Sequence, residues 1–304
     1  MVKSVTVLMG GWSVERDVSL DSGTACADAL ERYGYRVTRI DAPRDIHKLV
    51  AALTPAPDVV FNALHGRYGE DGAIQGLLDI MAVPYTHSGV LASALAMHKQ
   101  QAKTIFAAQG IPCPDGRVFK RAQLSGDDMP EPPYVVKPVN EGSSVGVHII
   151  RPGDNLAVLE DWPYGCDALV EPYIPGRELT VAVMDDKALG VTELRPLTGF
   201  YDYEAKYTDG KTEHLCPAPI PEIVAEQAKS YAVTAHKALG CRGVTRADFR
   251  YDDTKASPGA LSMLEVNTQP GMTPLSLVPE QAAYAGVEFT QLVSWMVENA
   301  TCDA

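Results

Sequence analysis

Over residues 2–81, short apolar runs alternate with longer stretches that are apolar on one side only. This alternation limits the fold more than any other feature of the chain. Segments 2–9, 35–40 and 58–64 read as strands, and segments 17–33, 46–53 and 73–81 read as helices. In the first helix Val18, Ala25, Ala29 and Leu30 recur at helical spacing. Strands separated by helices build a parallel sheet, so residues 1–95 are expected to form an N-terminal parallel α/β domain. Gly10-Gly11 follows the first strand at what becomes the carboxyl edge of that sheet, where ligands bind. No GxGxxG accompanies it, which disfavours a dinucleotide site.

Beyond residue 95 the pattern changes. A long helical pattern over 91–109 carries Lys99 and Lys103 and stops before Pro112 and Pro114. Strands are then expected at Tyr134–Pro138, 147–150 and 168–171, with a short helix over 154–162. They describe an α+β unit, residues 96–177. The remainder, residues 178–304, opens with strands at 179–184 and 189–194. A polar, aromatic stretch without period over 198–213 reads as a functional loop. A helix follows over 221–239, then strands over 243–251 and 261–267, and a last helix over 288–298.

A net charge of −13, with no Lys/Arg-rich run, argues against nucleic-acid binding. No apolar stretch approaches the length of a membrane span, and the N-terminus reads as a strand and not as a signal peptide. The six cysteines lack CxxC spacing, which suits free thiols in a reducing cytoplasm better than disulfides or zinc.

The chemistry concentrates in 261-LSMLEVNTQPGMTPLSLVP-279. Glu265 and Asn267 are two residues apart in a strand, so they share a face. The strand before it, GVTRADFRY, adds Asp248 and, on the same face, Arg246. Carboxylate and amide oxygens on neighbouring strands suit Mg²⁺, which shares its coordination sphere with water and phosphate. In YVVKPVNEGSSVGV, Lys137 leaves a strand just ahead of a Gly/Ser loop containing Ser143 and Ser144. Such a loop can cradle phosphate or be an ordinary hairpin turn; it does not follow the GxxxxGK[ST] pattern. The crossing 171-EPYIPGRE-178 is either an interdomain linker or a binding edge for a flat ring, with Glu178 placed for ribose. Glu15 either caps a helix or binds ligand, and His65 stands at a strand end.

Eight strings occur in the order found in one family: GGWSVERDVSL, ALHGRYGEDG, SGVLASALAMHK, VKPVNEGSSVGV, VEPYIPGRELTV, FYDYEAKY, TRADF and EVNTQPGMTPLSLVP. Together they cover nearly the whole chain, which resembles the D-alanine–D-alanine ligases of the ATP-grasp superfamily. The resemblance implies a three-domain ATP-grasp fold, in which a Rossmann-like N-terminal domain accompanies two α+β domains that clasp ATP. It implies ATP-dependent ligation of two D-alanines through an acyl phosphate, in the cytoplasm, for peptidoglycan synthesis, by a homodimer.

Carried over position by position, Asp248, Glu265 and Asn267 look like ligands of two Mg²⁺ ions, with Mn²⁺ able to substitute. Lys99, Lys137, Ser144 and Lys206 resemble phosphate contacts; Glu171, Pro172, Tyr173 and Ile174 the adenine edge; and Glu178 the ribose acceptor. Glu15 and His65 look like the site of the first D-alanine, and Ser276 and Leu277 that of the second. Arg246 and Gly271 resemble the oxyanion donors, and Ser143 and Tyr207 the pair that joins Glu15 across the closed site. Tyr207 favours an amine over a hydroxy acid as second substrate. Trp12, Tyr173 and Pro274-Leu275 depart from the residues usual in the family.

Overall fold

The structure is a computed structural model that describes residues 2–124, 128–143, 145–155, 159, 162–165, 167–197 and 210–303. Its N-terminal sheet has the order β2–β1–β3, all parallel, from β1 (Ser4–Met9), β2 (Arg36–Asp41) and β3 (Val59–Asn62). The interior of β1 is buried on both faces, Thr6 included among Val5, Val7 and Leu8. Helix α1 (Arg16–Tyr33) lies so close to β1 that a Cβ on Gly23 would come within 2.4 Å of the Met9 side chain. Gly34, at φ 105°, closes α1 in the left-handed region, and its N–H reaches the carbonyls of Leu30 and Glu31. Helix α2 (Ile46–Ala52) is capped by the Asp45 carboxylate, and α3 (Ala73–Ile80) follows β3.

The long helical pattern over 91–109 is two helices, α4 (Val90–Met97) and α5 (Lys99–Ala108). His98 between them is extended, its ring accepts from the Gln101 N–H, and the Lys99 N–H is spent on the Val139 carbonyl. A tertiary contact breaks the helix, and no local residue announces it.

An antiparallel sheet has the order β4–β7–β5–β6, from β4 (Arg117–Phe119), β5 (Tyr134–Pro138), β6 (His148–Ile150) and β7 (Ala168–Pro172). The other antiparallel sheet runs β11–β10–β8–β12–β13, with β9 also paired to β8. Its strands are β8 (Arg177–Met184), β9 (Lys187–Ala188), β10 (Thr192–Pro196), β11 (Thr212–Leu215), β12 (Val244–Asp252) and β13 (Ala260–Asn267). Of the strand expected over 189–194, only residues 192–194 are strand, as the start of β10; β9 precedes the expected range.

Helix α6 (Glu222–Ala238) covers the larger sheet. Helices α7 (Leu277–Tyr284) and α8 (Phe289–Glu298) close the chain, and α7 was not foreseen from periodicity. One core joins Val5, Val7 and Phe61 of the first sheet to Val278 of α7 and Leu292 and Met296 of α8. Most of the expected helix over 154–162 and residues 198–209 of the expected loop lie outside the described residues.

Candidate functional site

The floor of the site is the β12–β13 pair. Arg246 lies opposite Asn267 and Asp248 opposite Glu265, and the register shifts after Asp248. Bulges of this kind re-aim side chains next to functional sites. The Arg246 guanidinium grips Asp248 with two hydrogen bonds of 2.8 and 2.7 Å, and Thr180 donates a third at 2.7 Å. Glu265 stands 3.2 Å from the Lys99 ammonium, which also donates to the Glu141 carbonyl at 2.6 Å. The Asn267 side-chain oxygen accepts from the Gln269 N–H at 2.8 Å.

Two cavities meet over this floor. The first, about 800 Å³, lies between the two antiparallel sheets. Lys99, Lys137, Glu171, Pro172, Tyr173, Ile174, Glu178, Asp248 and Glu265 all line it, with the apolar Val135, Val147, Ile149 and Leu264. Glu171 is buried between two lysines: Lys137 donates to one carboxylate oxygen and Lys103 to the other. Burial works against the carboxylate, but Lys137 and Lys103 together hold its pKa below the ordinary value. Arg250 gathers the crossing that follows β7. It donates to the Ile174 carbonyl at 3.1 Å and the Gly176 carbonyl at 2.8 Å, and lies 3.5 Å from Glu178.

The second cavity, about 620 Å³, is polar and lies against the end of the parallel sheet. Glu15, His65, Ser143, Arg246, Asn267 and Gly271 line it, together with Glu70. The Ser143 hydroxyl donates to Glu15, and Ser143 takes φ 49°, a conformation that L side chains rarely adopt. Gly142 beside it packs closely on both acids: a Cβ there would lie 3.1 Å from a Glu70 carboxylate oxygen and 3.4 Å from one of Glu15. Burial, then repulsion from Glu15, pushes the Glu70 carboxyl well above the usual carboxylate range. Burial lowers His65 to about 4, aided by the charge of Arg246.

Ser276 and Leu277 line neither cavity. Ser276 precedes α7 and accepts from the Thr273 N–H at 3.0 Å, while Leu277 is buried against Leu194. Ser276 does adjoin the second cavity through Gly271, where a Cβ would lie 3.0 Å from its hydroxyl oxygen. Ser144, Lys206 and Tyr207 lie outside the described residues.

Sequence reasoning passed over Glu70, Arg250 and Gln269, and gave Lys103 no task. Only Lys103 left a signal: it is four residues from Lys99 and therefore on the same helix face. Among the described residues no three Cys, His, Asp or Glu side chains gather into a metal centre. Two carboxylates and an amide oxygen nonetheless fit Mg²⁺, which takes few protein ligands when phosphates supply the rest.

The comparisons agree over the whole chain. Residues 47–88 match the family model described as the D-ala D-ala ligase N-terminus, and residues 105–298 match the D-ala D-ala ligase C-terminus. A D-alanine–D-alanine ligase of Paramagnetospirillum magneticum is 61% identical over 100% of both chains. One from Granulibacter bethesdensis is 56% identical over 100% of this chain and 99% of its own. The crystal structure of the Bacillus anthracis D-alanine–D-alanine ligase complexed with ATP superposes with a TM-score of 0.81 at 31% identity. That match covers 98% of this chain and 97% of the other.

Proposed function

The chain belongs to the D-alanine–D-alanine ligase family, and from that premise we propose how its two cavities divide the ligation of two D-alanines by ATP. One observation carries the proposal. Lys99, Glu141 and Glu265 line both cavities, so a phosphoryl group at the end of a nucleotide in the first can meet a carboxylate held in the second. A reaction that passes phosphate from one ligand to another needs this juxtaposition.

In this reading adenine lies against Pro172, Tyr173 and Ile174, with Glu171 at its edge, and Glu178 accepts from the ribose. Lys99, Lys137, Lys206 and Ser144 hold the phosphates. Asp248, Glu265 and Asn267 would hold two Mg²⁺ ions, or Mn²⁺ in their place. The ions would supply neutralisation of phosphate charge.

Glu15 pairs with the ammonium of the first D-alanine, and His65 sits beside it. The carboxylate of this first D-alanine attacks the γ-phosphorus of ATP, forming its acyl phosphate as the bond to ADP breaks and ADP leaves. The amine of the second D-alanine, held by its carboxylate at Ser276 and Leu277, then attacks the acyl carbon, and phosphate departs. Arg246 and the Gly271 N–H stabilise the oxyanion of that step. Ser143 and Tyr207 join Glu15 in closing the site to water. The product feeds peptidoglycan precursors in the cytoplasm, and the working form is a homodimer.

The test is ADP release with Mg-ATP and D-alanine, run beside L-alanine, D-alanine with D-lactate, and excess EDTA. D-alanyl-D-alanine from D-alanine alone, abolished by EDTA, is the expected result. Turnover with L-alanine, or a depsipeptide as main product, would overturn the substrate assignment.

A further inference from the structure

Lys103 lines neither cavity, yet it is 5% exposed and hydrogen-bonded to Glu171. We propose that Lys103 is a positioning residue for ATP: by occupying one oxygen of Glu171 it leaves Lys137 with positive charge to offer the phosphates. The proposal rests on the reading of the first cavity as the nucleotide site.

The argument is one of charge balance. Elsewhere at the cleft each of these cations faces a carboxylate: Lys99 meets Glu265, Arg246 meets Asp248 and Arg250 meets Glu178. Glu171 faces two ammonium groups, and all three side chains are buried. The group therefore carries one excess positive charge in a place where an unbalanced charge is costly. Of the two lysines only Lys137 lines the cleft, so the excess is presented there. Burial, and then repulsion from Lys137, lower the Lys103 pKa, as expected if the two ammonium groups feel each other. An anion in the cleft relieves the imbalance. Without Lys103, Glu171 and Lys137 would neutralise each other, and the phosphates would meet no net charge from this group.

The test compares ATP affinity, by titration calorimetry, in the whole enzyme and two variants. Lys103→Met should weaken ATP by roughly tenfold, the order of one charge-assisted contact. The KM for D-alanine should stay unchanged. The double variant Lys103→Met/Glu171→Gln restores the net charge while keeping an acceptor oxygen on residue 171. Its ATP affinity should return to within about threefold of wild type, a rescue that lost packing alone would not allow. If Lys103→Met fails to fold, the double variant, with no unbalanced carboxylate, still decides the matter by the same criterion. Wild-type affinity in Lys103→Met, or a double variant as weak as the single, overturns the inference while the nucleotide site stands. A wild-type chain that binds no ATP overturns both.

Discussion

His65 and Glu70 lie 4.0 Å apart, Nδ1 to Oε2, and burial moves their pKa values in opposite directions. His65 titrates at about 4 in the folded chain, against an ordinary 6.5. Above pH 6.5 it is neutral in both states and contributes no pH dependence. Between 6.5 and 4 the unfolded chain takes up a proton that the folded chain refuses, so stability falls as pH falls; below 4 the loss levels off. Over that window the loss attributable to His65 is about 3 kcal/mol. Glu70 acts in the opposite sense, because its raised pKa makes stability fall as pH rises. The wild-type profile is therefore a difference of the two, and His65→Gln isolates one of them. Urea denaturation from pH 7 to 4 should show the gap between wild type and variant shifting in the variant's favour as pH drops. A constant gap would show that His65 is not buried as a neutral ring. The sequence did not disclose this pair. HGRYGEDG reads as a polar turn, and burial of one acid among three charged residues is decided by what packs over it.

The elements were legible wherever local pattern and tertiary demand agree. Helix α1 carries its apolar stripe and ends at Gly34, and β12 and β13 present the acid, amide and arginine at the two-residue spacing that puts them on one face. Legibility failed where a distant contact decides. Residues 91–109 contain no breaker, and the break at His98 follows from the bond between the Lys99 N–H and the Val139 carbonyl. The crossing after β7 is a further case. Its Pro-rich string suggested either a linker or a binding edge, but not that Arg250 would hold it by two carbonyls. Gly176 completes the crossing at φ 91°, and a Cβ there would lie 2.2 Å from the Tyr251 carbonyl oxygen. Both the conformation and the space refuse a side chain. Gly176→Ala should cost roughly 2–3 kcal/mol of stability, the sum of a left-handed penalty and a backbone displacement. Because the displaced segment adjoins Tyr173 and Ile174, KM for ATP should rise while KM for D-alanine holds. Equal stability in denaturant would mean that the crossing is loosely held and that Arg250 does not organise it.

At the scale of the molecule, the second cavity is assembled from both ends of the chain, and no local pattern could announce that. Gln269 makes the junction. Its side-chain oxygen accepts from the Asn62 amide at 2.8 Å, and its amide donates to the Leu64 carbonyl. Its backbone N–H fixes the Asn267 oxygen. The side chain is 1% exposed, so these bonds form away from water, where an unmade bond costs most. The loop carrying Gly271 is thereby tied to the strand that leads to His65, and Met272 N–H is tied to Ser22 of α1 at 3.1 Å. Gln269→Leu keeps the volume but orphans the Leu64 carbonyl and one Asn62 donor. It should destabilise the chain by roughly 2–4 kcal/mol. Adding Asn62→Leu should cost less than the two single changes summed, since the second removes a group the first has already orphaned. The functional signature should be unequal. The Glu171–Arg250 side of the first cavity is built without Gln269, so ATP affinity should hold within about threefold while KM for D-alanine rises by tenfold or more. A variant that loses ATP and D-alanine affinity alike would mean that Gln269 supports the whole fold and not the second cavity, and the two sites would then not be separable in this way.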